Sequence, residues 1–89
     1  MAYRVILHRN AEKKYKRQGN KVKSRLNKAI EDLRTREDPR KGTHVRKLKG
    51  RLQGKYRYRV GDFRIIYEVY YQYLRISYLF RICDFSQKI

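Results

Sequence analysis

Tryptophan is absent from this 89-residue chain, and cysteine, proline and methionine occur once each. The lone Cys83 excludes an internal disulfide and a cysteine-ligated zinc site. With only His8 and His44 to assist it, neither a metal nor a cofactor is expected. No stretch approaches the ~20 consecutive apolar residues of a membrane-spanning helix. The apolar run at Met1–Leu7 is too short for a secretory leader, so a cytoplasmic protein without membrane partners is expected. Negative charge is the scarcest commodity: 8 Asp and Glu stand against 25 Lys and Arg, giving a net charge of +17. Self-repulsion on that scale points to a polyanionic partner.

What is present suffices for one small domain over residues 1–89, since nine tyrosines and three phenylalanines supply bulk for a single modest core. Tyr3–His8 is rich in β-formers and reads as a first strand. Asn10 is placed to cap a short helix from Ala11 to about Arg17, closed by Gly19. Asn20 is placed to cap a second helix. There Val22, Leu26, Ala29, Ile30 and Leu33 form one apolar stripe, and Asp38-Pro39 halts it. From Val45 the period changes to two. Val45–Lys49 and Tyr56–Val60 read as strands, and Gly61-Asp62 as a primed two-residue turn that pairs Val60 with Phe63. The order β-α-α-β-β-β predicts an α+β fold: a twisted antiparallel sheet with the two N-terminal helices packed on one face and the other face open.

This register puts Tyr56, Tyr58, Val60, Phe63, Ile65, Tyr67 and Val69 on one side, and Arg57, Arg59, Arg64, Ile66 and Glu68 on the other. The last strand, Leu74 to Cys83, alternates Ile76, Tyr78, Phe80 and Ile82 against Arg75, Ser77, Leu79 and Arg81. Running without a bulge, it sets Arg81 beside the other arginines; a slip of one residue sends it to the opposite face. Arginines facing each other across a hairpin destabilise it unless an anion offsets them. The guanidinium fork suits phosphate, and tyrosine suits an unpaired base, so the face reads as an RNA groove. In the turn at residues 70–73, Tyr70, Tyr71 and Tyr73 are free to stack. A solvated arginine surface is the plainer alternative.

Lys47-Leu48-Lys49-Gly50, followed by Tyr56-Arg57-Tyr58-Arg59-Val60-Gly61-Asp62-Phe63-Arg64-Ile65-Ile66-Tyr67-Glu68-Val69, resembles the K-L-x-G and Y-R-x-R-x-G-x-(Y/F)-R-(I/L/V)-(I/V)-Y-x-V core of the RelE/ParE toxin superfamily. The resemblance implies a type II toxin neutralised by a tightly wrapped, acidic RelB-like antitoxin. On the RelE branch it implies a metal-independent endoribonuclease that enters the ribosomal A site and cuts mRNA by 2′-OH attack on the adjacent phosphate. By position, Arg57 and Arg59 would flank the scissile phosphate, Arg64 would stabilise its charge, and Lys47 and Lys49 would extend the RNA contact.

The chain departs from that pattern in two places. Arg59 stands where relatives carry lysine as a general base, and a guanidinium seldom accepts a proton near neutrality. The position expected for a C-terminal arginine falls on Asp84 or Phe85, which leaves Arg81 as the nearest replacement, and the family's C-terminal tyrosine has no counterpart up to Ile89. Arg59, Arg64 and Arg81 are thus the candidate catalytic residues, and Lys47, Lys49, Arg57 and Tyr71 the candidate RNA contacts. His8, in a strand, and His44, in a loop, read as structural or incidental, and Cys83 as a small apolar filler. A ParE-like toxin, which binds DNA gyrase and cleaves nothing, and a non-catalytic RNA-binding homologue are the competing readings.

Overall fold

Which side of the sheet the helices cover decides which residues remain available for function. A computed structural model describes residues 2–82. Its elements are β1 (Arg4–Leu7), α1 (Arg9–Lys16), α2 (Asn20–Thr35), β2 (Val45–Lys47), a short 3-10 turn (Gly50–Leu52), β3 (Tyr56–Val60), β4 (Phe63–Tyr70) and β5 (Tyr73–Arg81). The five strands form one sheet in the order β1-β5-β4-β3-β2. The α+β architecture is as expected, with four strands after the helices where the β-α-α-β-β-β order has three. One pairing departs from the antiparallel expectation: β1 runs parallel to β5. Two helices intervene before β2, so the chain crosses over the sheet instead of turning back as a hairpin, and a crossover permits a parallel neighbour.

The helix starts differ from the expected caps. His8, not Asn10, caps α1: its backbone is extended, its Nδ1 accepts from Asn10 N–H at 3.3 Å, and its carbonyl accepts from Glu12 N–H at 2.9 Å. The structural reading of His8 therefore has a definite content. Helix α2 starts from Gly19 without a side-chain cap, and Asn20 is its first residue. The stripe on α2 behaves as its spacing requires, with Leu26, Ala29 and Leu33 buried and Val22 and Ile30 packed at their margin. These side chains, with Ala11 of α1, meet Tyr58, Phe63, Ile65, Tyr67, Leu74, Ile76 and Leu79 in one core on one face of the sheet.

Tyr67 is wholly buried in that core, and its hydroxyl donates to the Pro39 carbonyl at 2.6 Å. Burial raises its pKa, and the hydrogen bond satisfies a phenol that would otherwise be costly to bury. The α2–β2 loop is thereby fastened to the centre of the sheet. Arg36 ties the same loop together, its guanidinium donating to the carbonyls of Lys41 (2.8 Å) and Thr43 (2.9 Å). Gly42 is required there: its φ is +107°, and a Cβ would come within 2.7 Å of the Arg36 guanidinium.

The β3–β4 hairpin has the expected register, with Val60 opposite Phe63 and Arg59 opposite Arg64. Gly61 takes φ +58°, and Asp62 does not enter the left-handed region. This matches a turn with glycine at its first central position. Strand β5 holds the main surprise. Tyr67 pairs with Ile76 and Ile66 with Tyr78, so Ser77 is an extra residue in a β-bulge. Beyond it the side-chain parity inverts. Leu79 turns into the core opposite Ile65, Tyr78 and Phe80 turn outward, and Arg81 pairs with Phe63 on the helix side.

Leu33 is fully buried, so Leu33→Ala is expected to lower unfolding stability in urea by about 2–5 kcal/mol, while exposed Lys21→Ala stays within about 0.5 kcal/mol. A Leu33→Ala loss no larger than that of Lys21→Ala would refute the core assignment.

Candidate functional site

The uncovered face carries two rows of side chains across the strands. Arg46 of β2, Arg57 of β3, Ile66 of β4 and Tyr78 of β5 are successive cross-strand partners in one row. Arg59, Arg64 and Phe80 make the next. Arg57, Arg59 and Arg64 therefore do share a surface. Residues adjacent to the pair that closes a two-residue turn are of the non-hydrogen-bonded type, with Cα atoms about 4.5 Å apart and side chains closest. Arg59 and Arg64 occupy that position.

Arg64 is half-buried, and its Nη1 donates to the carbonyls of Gly61 and Phe63, both at 2.9 Å. Burial, and after it the charges of Arg57 and Arg59, lower its pKa, which marks a cation held where positive charge is already crowded. Among the described residues no carboxylate forms an ion pair with Arg57, Arg59 or Arg64. The acid that the described strands place on this face, Glu68, is engaged elsewhere. Lys55 Nζ lies 3.0 Å from its Oε1, Ser77 Oγ donates to it at 3.3 Å, and the Tyr70 hydroxyl donates at 3.0 Å. Burial works to raise the Glu68 pKa, but the hydrogen bonds from Lys55 and Tyr70 outweigh it and hold the carboxyl below its usual range. The bulge residue Ser77 thus also helps to occupy the described acid that shares this face with the arginines.

Arg81 does not join them. Its guanidinium lies 4.9 Å over the Phe63 ring and 3.8 Å from Asp62 Oδ2, on the helix side. The cause is the bulge, which shifts its parity by one. Lys47 also falls on the helix-side parity, opposite Tyr56 at the exposed edge, and Lys49 lies beyond β2. Arg46 is the basic residue of β2 in line with Arg57. Tyr71 is 88% exposed at the β4–β5 turn, seven residues along the chain from Arg64, or roughly 20 Å at strand rise. Tyr70 and Tyr73 stack on each other with centroids 4.7 Å apart. Cys83 and the Asp84–Phe85 position lie outside the described residues.

Arg46, Tyr78 and Phe80 went unrecognised at the level of sequence. Arg46 follows from extending the β2–β3 register by one pair. Tyr78 and Phe80 needed the bulge, whose only trace is that the core positions Leu74 and Ile76 are followed by Leu79 instead of residue 78. Among the described residues no three His, Cys, Asp or Glu side chains gather as a metal site, and no helix is long and apolar enough to cross a membrane.

A hydrogen-bonded group behind the sheet sets the edge of this face. The Tyr58 hydroxyl donates to Asp32 Oδ2 at 2.7 Å, Arg36 pairs with the same carboxylate at 2.9 Å, and the His44 ring lies 5.9 Å from that of Tyr58. His44 takes φ +70°, and its carbonyl accepts from Arg59 N–H at 2.9 Å. The Tyr58 pKa is pushed up to about 12 by burial and by Asp32. The Tyr58 bond, and after it the Arg36 pair, hold the Asp32 carboxyl below its ordinary value against the opposing effect of burial. A depressed folded-state pKa contributes stability above the unfolded value and loses it as pH falls through the folded one. Tyr58→Phe should therefore cost about 1 kcal/mol at pH 7. That penalty should shrink below roughly pH 4 as Asp32 protonates. Urea melts of both proteins at pH 7 and pH 3 test this, and a penalty that grows in acid would contradict it.

No curated protein matches the chain by sequence. Among solved structures, the chain is similar to the archaeal RelE–RelB complex from Pyrococcus horikoshii OT3, at 30% identity over 92% of this chain and 97% of that one, with a TM-score of 0.74. The toxin–antitoxin complex RelBE2 of Mycobacterium tuberculosis shares the fold at 17% identity, covering 91% and 92% of the two chains, with a TM-score of 0.78. So does the YoeB–YefM complex of Staphylococcus aureus, at 24% identity, 89% and 95% coverage and a TM-score of 0.73. A family model described as the ParE toxin of type II toxin-antitoxin system, parDE, matches residues 5–84. The open, arginine-lined sheet backed by two helices is thus carried by a toxin of a type II toxin-antitoxin system, and the chain belongs to the ParE toxin family within the RelE/ParE superfamily.

Proposed function

We propose that this toxin is a RelE-type endoribonuclease that cuts mRNA in the ribosomal A site, with the strand laid across the Arg57, Arg59 and Arg64 face. The observation that carries this reading is the close Arg59–Arg64 pair on a face where, among the described residues, the acid Glu68 is held by Lys55. Two guanidinium groups so placed repel each other, and a bridging phosphate converts the repulsion into attraction.

In the reaction, a ribose 2′-oxygen attacks the adjacent phosphorus in line. The P–O5′ bond breaks, leaving a 2′,3′-cyclic phosphate and a 5′-hydroxyl. The 2′ proton passes to solvent and the departing 5′-oxygen takes one from solvent. Arg64, fixed by two backbone carbonyls, neutralises the extra charge on the phosphorane, and Arg59 orients the 2′-OH. Phe80, next to Arg64 in the ladder, offers an apolar surface for a base, and Arg46 extends the basic row. Arg81, turned to the helix side, supports the hairpin through Phe63 and Asp62. A cytoplasmic setting follows from the substrate. The control partner is an acidic RelB-like antitoxin, in keeping with the +17 charge and with similar toxins solved in complex with RelB and YefM.

A second reading, a ParE-like toxin that inhibits DNA gyrase without cleavage, is favoured by the name of the matching family model and by the absence of Arg81 from the arginine face. The two diverge on programmed ribosomes carrying a defined message. A-site cuts are expected with the wild-type chain and should fall roughly 10²- to 10³-fold in rate with Arg64→Ala. Gyrase supercoiling should be unaffected by the same preparation. Intact message together with blocked supercoiling would establish the gyrase reading instead.

A further inference from the structure

Between α2 and the β3–β4 turn runs an open groove of about 390 Å³ whose charged lining residues, Arg25, Lys28 and Arg59, are all basic, with His44 and Tyr58 beside them. Among the described residues no acid lines it, and Asp32 behind it is occupied by Tyr58 and Arg36. Arg25 and Lys28 are exposed on α2 one turn apart, so they point the same way. The Arg25 guanidinium reaches over the hairpin tip, where a Cβ on Gly61 would lie 3.9 Å from its Nη1. On the other side of the tip, Arg64 holds the Gly61 carbonyl. Strand β2 begins its pairing at Val45 opposite Tyr58, so Arg59 sits at the rim, where groove and arginine face meet. Basic side chains therefore stand on both sides of the Gly61-Asp62 turn, and the carboxylate of that turn, Asp62, lies 3.8 Å from Arg81 Nε. Gly61 has no side chain to obstruct a path around the turn.

We propose that this groove binds the phosphodiester backbone of the same single-stranded RNA that crosses the arginine face, one or more nucleotides beyond the phosphate held by Arg64. The inference rests on the reading that the face takes RNA, and adds to it a second, length-dependent contact. Arg25 and Lys28 are anchoring cations for the strand and take no part in bond breaking.

Binding of fluorescently labelled single-stranded RNA of two and of eight nucleotides, followed by anisotropy over a salt series, tests this. The eight-nucleotide RNA should bind the wild-type chain more tightly and with a steeper salt slope. In Arg25→Ser/Lys28→Ser the slope should drop by about 1.4, from two lost phosphate contacts at ~0.7 each, and affinity for the longer RNA should fall roughly five- to tenfold, with the dinucleotide unaffected. Lys13→Ser/Arg17→Ser, on α1 and its C-cap, removes the same charge outside the groove and should spare the length advantage. Equal losses in the two double variants would reduce the effect to bulk charge and overturn the groove, as would a length advantage that survives Arg25→Ser/Lys28→Ser. If RNA of both lengths binds weakly and alike, both the groove and the RNA reading of the face fail. If the length advantage depends on Arg25 and Lys28 while message stays uncut, the groove stands and only the nuclease reading falls.

Discussion

Two short helices can cover one side of a five-stranded sheet but not both, and that inequality shapes the rest of the molecule. The side chains of Leu26, Ala29 and Leu33 commit the helices to the face bearing Tyr58, Phe63, Ile65 and Tyr67. Whatever alternates with those residues along β3 and β4 is left on the far side. Period-two geometry then makes Arg57, Arg59 and Arg64 neighbours without any further instruction. A basic surface produced this way would normally attract an internal acid. Here the local acid is Glu68, and Lys55, anchored in the loop before β3, holds it. The outcome is a cationic surface that is crowded, partly desolvated at Arg64 and short of internal counter-charge.

The bulge at Ser77 refines this arrangement. One added residue returns Leu79 to the core after two strand positions that would otherwise have been mismatched, and it brings aromatic Tyr78 and Phe80 to the arginine side while turning Arg81 away. A change of one residue in strand length thus exchanges a cation for two rings at the same surface. The family resemblance carries no information about that exchange, because it matches residue types and spacing and not side-chain parity.

How much of this was legible beforehand follows from the strength of each local signal. The β3–β4 register was readable because Gly61-Asp62 fixes the turn length and the tyrosines and arginines alternate strictly on either side of it. The α2 stripe was readable from its spacing. The parallel β1–β5 pairing was not, because four residues of β-formers carry no mark of their partner's direction. The α1 cap was misassigned because asparagine is the commoner capping residue, and His8 prevailed through an extended backbone that only the preceding strand dictates. Past Ser77, strand β5 offers large apolar side chains at both parities, Tyr78 and Phe80 against Leu79, so either parity satisfied the pattern there, and the bulge decided between them. The groove beside Gly61 brings together α2 and a turn some thirty residues apart in sequence, which no local pattern could reveal.

The neighbour relation of β1 and β5 carries a consequence for how the protein comes into being. The first described strand finds its hydrogen-bonding partner in β5, the last described one, so a nascent chain holds β1 without that mate until β5 has left the ribosome. Pairing of β4 waits on the same event on its far side. The two strands at the middle of the sheet, β5 and β4, therefore gain both neighbours only once β5 has emerged, whereas the arginine pairs of β2, β3 and β4 need only each other.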